Sequence, residues 1–465
     1  MATDLLKDKT SKVLTSMSVP ISLGMLSTFL FQVIDTYFVG KLGPDALAAL
    51  SFSSTVYFLV VGLFMGLSVG VSIIIGTAKG AGNTEKVNQT SLIALLLSFL
   101  LALFLSGAMI YYVEPIFITM GASSTVLPLV KLYIAPIFYG MPLLTIGLMA
   151  GGILRATGNV KKPEIVMGLA GVVNLVLDYA LIFGAYGFPE MGISGAAWAT
   201  FSSWVFVIIG MLVLLVKDRL LKVSLTALLS KGIATIKEIF TLGLPTIVTQ
   251  IVGPLTTTFL VFLFAKQNSE AVAAYGVASR IEMLLLIGIL GVSTAITPFI
   301  AQNLGAKATQ RIDESIAYGG RASTYLGALI CLLLFLFIKP IAAIFSDDII
   351  VVDTTATYFY WVSISYIFYG LFIITSSIFN GLKLPVNSLK IMVQKSLLFT
   401  VPLSFIGSFF GVEGIFIGIS VSNILGGLLA TYYIRKHFKE IGSPMASVNI
   451  WHEYANDIKS LFGIK

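Results

Sequence analysis

The sequence predicts an all-α polytopic membrane protein with twelve transmembrane helices in two six-helix pseudo-symmetric lobes. Three observations carry this expectation. Of 465 residues, 57% are hydrophobic and only 11% charged, whereas a soluble protein of this length carries about 25% charged residues. The apolar residues fall in repeated runs of about 20, each enough to cross a hydrocarbon core as a helix. These runs are continuous rather than alternating, which disfavours a β-barrel. Third, the two halves of the chain repeat the same short motifs in the same order.

Taken in order, the apolar runs place spans at residues 16–39, 46–78, 89–112, 126–150, 164–184, 195–216, 239–264, 272–301, 314–338, 354–378, 389–410 and 414–434. The second and eighth exceed one bilayer thickness, so each must tilt or break. Gly66, Gly70 and Gly76 in the second, and Thr297-Pro298 in the eighth, are the places for such a break, tilt being the alternative.

Lys and Arg set the orientation. With the N-terminus inside, roughly 23 of them fall in cytoplasmic segments and 3 outside (Lys41, Lys266 and Lys339). The net charge of +7 is therefore a topology signal, and no nucleic-acid partner is needed to explain it. An inner (plasma) membrane protein with both termini in the cytoplasm is expected.

The repeat shows as Ala46-Leu47-Ala48-Ala49 against Ala271-Val272-Ala273-Ala274, Gly82 against Gly305, and Gly192-Ile193-Ser194-Gly195 against Gly411-Val412-Glu413-Gly414. Each pair is about 220 residues apart in conserved order, the mark of two repeats of equal orientation. The expected division is a lobe at 1–216, a basic cytoplasmic linker at 217–238, a second lobe at 239–434 and a cytoplasmic tail at 435–465. In that tail Trp451, Tyr454, Ile458 and Leu461 recur at helical spacing, as in a helix lying on a membrane surface.

The first span is too long for the apolar core of a cleavable signal peptide, and none is expected. Cys331 is the lone cysteine, so no intrachain disulfide forms. His437 and His452 lie outside the spans with no cysteine partners, which argues against zinc.

Ionisable residues inside a span are costly, about 2.5–3.5 kcal/mol on insertion scales, and are functional candidates for that reason. Asp35 lies about five residues, roughly 8 Å, from the outer end of the first span. Asp178 lies about six residues from the outer end of the fifth, and Thr200 about five residues into the sixth. Asn174 precedes Asp178 by four residues and so shares its helix face. Two carboxylates, an amide and a hydroxyl at one depth form a candidate site for a proton or a sodium ion, and the alternative is a static polar network. Pro20, near the start of the first span, removes a backbone hydrogen bond and marks a candidate hinge, unless it sits harmlessly in the first turn.

The second lobe lacks the acid pair. It carries Glu282 and Arg280 in the eighth span and Lys395 in the eleventh. Glu282 is a candidate either for a cationic substrate or for a structural pairing with Lys395. Phe29, Phe138, Tyr139, Met141 and Met149 are candidates for an adaptable apolar substrate cavity, or else ordinary packing.

The residues resemble the multidrug and toxic compound extrusion (MATE) family. The likeness runs from Ser16 to about His437. It rests on V-P-x-x-x-G-M-L and V-I-D-T-Y-F-V-G-x-L-G-P-D-A-L-A-A near the start, R-A-T-G-N-x-K-K-P at Arg155 to Pro163, N-L-V-L-D in the fifth span, G-I-S-G-A-A-W-A-T in the sixth and G-V-x-G-I near the end. The resemblance implies an antiporter with no cofactor, in which an amphipathic, often cationic drug leaves as H⁺ or Na⁺ enters. It places Asp35, Asn174, Asp178, Thr200 and the Ala196 carbonyl at the coupling site, with Pro20 as the bending proline, as in DinF-like members. The NorM-like pattern of acids in the seventh and tenth spans is not met. A monomer in the lipid bilayer is expected. The alternatives are a lipid-linked precursor flippase of the same superfamily and, more distantly, an intramembrane aspartyl protease. The flippase calls for several basic residues in the first-lobe spans, and the protease for a G-x-G-D motif; neither is found.

Overall fold

The computed structural model describes residues 4–222 and 225–440, and the expected tail helix at Trp451 to Leu461 lies outside the described residues. Each expected span coincides with a helix. The first six are α1 (Thr10–Gly40), α2 (Pro44–Gly80), α3 (Thr84–Tyr111), α4 (Val126–Ala156), α5 (Lys161–Phe183) and α6 (Ile193–Lys217), with a short helix Val113–Thr119 before α4. Then come α7 (Leu225–Ala265), α8 (Ser269–Gly305), α9 (Thr309–Ala343) and α10 (Ile349–Gly381). The eleventh, α11, is built from Pro385–Val393, a π-helical stretch Gln394–Thr400, and Val401–Gly407; α12 is Gly411–Glu440.

Among the described residues, eleven stretches are long and apolar enough to cross a membrane. The last, Pro385–Glu440, has 56 residues and holds two crossings. It reverses at Gly411, whose φ of 82° lies in the left-handed region that a side chain disfavours. Gly192, the matching residue before α6, also has positive φ, 57°. The two halves therefore turn into their sixth helices in the same way. The stretch expected to be a linker at 217–238 is helical from Leu225 onward.

Of the two alternatives for the long spans, the break is not taken. Both α2 and α8 run unbroken through Gly66, Gly70, Gly76 and Pro298. Gly66 and Gly70 instead admit the backbone of α7. A Cβ at Gly66 would lie 2.5 Å from the Cα of Ile247, and one at Gly70 2.8 Å from that of Gly243. Thr246 Oγ1 fixes this approach by donating to the Gly66 carbonyl at 2.6 Å. Small residues four apart let two helices touch backbone to backbone, the usual way to gain packing where lipid competes with side chains.

The chain forms two compact units, one running from Pro20 to Ile251, the other taking Leu5–Val19 together with the chain from Val252 on. In the first, α4 is the most enclosed helix. Its Val130, Ile134, Phe138 and Met141 join one apolar cluster, and Met149, Ile153 and Leu154 another. The second unit centres on Phe264, Tyr275, Tyr358, Phe359, Tyr366 and Phe416.

The start of the chain is tied to the second unit by hydrogen bonds. The Arg311 guanidinium donates to the carbonyls of Leu5 (3.0 Å) and Asp8 (2.7 Å), and its Nε to Asn303 Oδ1 at 3.0 Å. Leu5, Val13 and Leu14 are buried beside this anchor. Arg311→Ala should lower stability by about 2 kcal/mol, because hydrogen bonds from a charged donor are each worth more than neutral ones. Lysine should not restore it, lacking the planar fork that reaches three acceptors. Thermal melts of the detergent-solubilised protein would check this. Unchanged midpoints for Arg311→Ala would show that the anchor contributes nothing.

Candidate functional site

The polar group foreseen in the first unit is assembled from three helices. Asn174 Nδ2 on α5 lies 3.4 Å from Asp178 Oδ1, one turn away, and 3.4 Å from Thr200 Oγ1 on α6. Asp178 is only 1% exposed. Asp35, from α1, faces it closely enough for the two carboxylates to feel each other's charge. Asp35 Oδ1 is buried and has no hydrogen-bond partner. Among the described residues neither carboxylate has an ion-pair partner.

Such a group is under-satisfied. A buried carboxylate accepts several hydrogen bonds when ionised, yet one long amide bond is what Asp178 receives. Carboxylate, amide carbonyl and hydroxyl oxygens are hard donors suited to a proton or a small cation. Ala196 is fully buried one turn before Thr200 on α6.

Two tyrosines escaped the sequence reading. Tyr133 on α4, 8% exposed, lies within electrostatic reach of Asp35, Asp178 and Tyr57. Tyr57 on α2 stacks on Trp204 at 6.0 Å with a 7° interplanar angle. Depth was the available signal, since Tyr133 is seven residues into α4, about 10 Å, the level of the acids. Pro20 lies ten residues inside α1, so the harmless first-turn position is excluded.

The profile of the MatE family matches residues 20–180 and again 245–406. The chain belongs to the MatE family. The two matches are two copies of one module, and they open on Pro20 in α1 and Pro245 in α7. Among relatives, the chain is 32% identical over 438 residues to a protein of Shewanella oneidensis named FAD transporter, covering 94% of this chain and 96% of that one. It is 28% identical over 335 residues to the probable multidrug resistance protein YoeA of Bacillus subtilis, covering 71% and 72%. Its fold matches the Vibrio cholerae MATE transporter VcmN, solved in a bent form, with a TM-score of 0.87 and 26% identity over 93% of this chain and 97% of that one. As a MatE protein it is a multi-pass membrane transporter and not an enzyme, which removes the aspartyl protease alternative.

The structure does not gather the apolar candidates into a cavity. Phe138, Met141 and Met149 are at most 1% exposed and locked in the packing around α4. Phe29 is also buried, and Tyr139 is 57% exposed. Aromatic and Met residues on a helix look alike in sequence whether they pack or bind, and here close packing won. In the second unit Glu282 accepts a hydrogen bond from Tyr358 at 3.3 Å.

Proposed function

We propose that this MatE transporter is an efflux antiporter of the inner (plasma) membrane with both termini cytoplasmic. It exports amphipathic, often cationic small molecules in exchange for H⁺ or Na⁺, as a monomer and by alternating access. The observation that carries this reading is the facing pair of acids, half-buried Asp35 and buried Asp178, with an orphaned carboxylate oxygen and no basic partner among the described residues. Static packing would not retain two uncompensated carboxylates in an apolar unit at such cost. The name of the Bacillus subtilis relative supports the choice of drugs as cargo.

The direct test is reconstitution in proteoliposomes, with proton and sodium gradients imposed separately and export of a fluorescent cation followed. Export driven by one gradient and not the other identifies the coupling ion; export indifferent to both ends the antiport reading. The Shewanella oneidensis relative favours a second reading, in which the cargo is a flavin nucleotide.

Glu282 is assigned to cargo selection rather than coupling, because no second acid shares its site. Glu282→Gln should change the ranking of exported compounds by about tenfold, the scale of one charged hydrogen bond, and leave ions exchanged per molecule unchanged. A changed ion stoichiometry with the ranking intact would move coupling to the second unit.

A further inference from the structure

The second unit holds a cation placed where structural economy would not put one. Lys395 sits about half-way along α11, on its π-helical stretch, and Thr400 Oγ1 bonds back to its carbonyl at 3.1 Å across five residues. A π-bulge re-aims side chains and recurs at functional sites. The Lys395 Nζ rests 4.8 Å from the ring centre of Tyr369 and 5.8 Å from that of Phe372. Those two rings stack on α10, parallel within 8° and 6.1 Å apart, with Tyr369 half-buried and Phe372 buried. Gly426 of α12 leaves room for the lysine stem, since a Cβ there would lie 2.5 Å from Lys395 Cγ. Glu282 is near enough to attract Lys395, but the two make no ion pair within 4 Å among the described residues. Buried Tyr358 donates to Glu282 at 3.3 Å, and buried Tyr366 keeps a hydroxyl with no hydrogen-bond partner.

A lysine kept apart from its carboxylate, over a stacked aromatic pair, presents a charge beside the apolar face of Tyr369. Lys395, Tyr369 and Glu282 are each only half-buried, so a ligand has surface to meet. From this geometry we infer that the second unit binds planar aromatic compounds bearing an acidic group. The ring lies against Tyr369, the acid takes Lys395, and a ring N–H donates to Glu282. This rests on the exporter reading in its second form, with a flavin-type rather than a cationic cargo, and gives that class a binding place in the second unit. It requires charge-assisted pairing, which an ammonium gives to phosphate or carboxylate, and stacking on aromatic faces.

The test uses the full chain in nanodiscs with two probes, flavin mononucleotide and riboflavin, which share a ring and differ in the phosphate. Wild type should bind the phosphorylated probe about tenfold tighter, the worth of one charged pair. Lys395→Gln should erase that preference, and Lys395→Arg should keep most of it. Tyr369→Leu, which leaves the charge in place, should weaken both probes alike. Equal binding of the two probes by wild type, binding of neither, or a preference that survives Lys395→Gln overturns the inference. Ion-driven export of ethidium by wild-type proteoliposomes reads the antiport proposal separately. A protein that exports ethidium yet shows no preference for the phosphorylated probe sinks this inference alone.

Discussion

Asp35→Asn and Asp178→Asn should each abolish gradient-driven export, a fall of about 100-fold or more, since coupling needs a group that binds the ion in one state and releases it in the other. The loss should come without unfolding. Asp178 receives one amide hydrogen bond at 3.4 Å, and Asp35 has a carboxylate oxygen that receives none. Replacing a poorly satisfied buried acid by a neutral amide of the same shape removes a cost rather than a support. Melting temperatures at or above wild type are therefore expected together with lost transport. That pairing separates coupling from structure. A polar network that merely holds α1, α5 and α6 together would lose stability and keep some transport. Export at wild-type rate by both variants would make the acids structural.

The acids could be placed from sequence because helix rise is fixed. Counting about 1.5 Å per residue from the span ends put Asp35, Asp178 and Thr200 at one level, and the i, i+4 rule put Asn174 beside Asp178. What counting cannot supply is the face. Tyr133 stood at the same depth, but nothing in its neighbours said that it turns toward the acids. Phe138 and Met141, with the composition of a binding wall, turn into the core instead. Hydropathy also misjudged helix starts. It set the first span at residue 16 and the seventh at 239, while α1 begins at Thr10 and α7 at Leu225. Polar turns that continue a helix past the hydrocarbon carry no apolar signal. Glycines misled for a related reason: Gly66 and Gly70 read as weak points of α2, and they are where α7 presses closest. A glycine that loosens one helix and a glycine that admits a second differ only in tertiary context.

The second large effect is expected at Pro20. The first helix starts on one compact unit and continues on the other, and the division falls between Val19 and Pro20. Proline has no N–H to give the Ser16 carbonyl, so α1 lacks a backbone bond there. Ser16 and Ser18 bond back to the carbonyls of Val13 (2.8 Å) and Leu14 (2.7 Å), a pattern that further eases bending. Asp35 lies about four turns further along the same helix. If an ion on Asp35 favours a bent α1 and cargo favours a straight one, binding of either expels the other. Reversing a nine-to-one population needs about an 80-fold difference in affinity between the two states. On that premise the bent state binds the proton more tightly, so lowering the pH should populate it, and Asp35→Asn should mimic that state at neutral pH. Pro20→Ala restores the backbone bond; it should hold α1 straight and cut export by about tenfold, some 1.4 kcal/mol on the barrier. Spin labels at Lys41→Cys and Tyr186→Cys, in a chain with Cys331 replaced by serine, report the distance from the end of α1 to the turn after α5. That distance should shift with pH in the wild type, be fixed at its low-pH value in Asp35→Asn, and stay at its high-pH value in Pro20→Ala. A distribution that is the same at every pH in both the wild type and Asp35→Asn would rule out the hinge, even if both aspartates proved essential for transport.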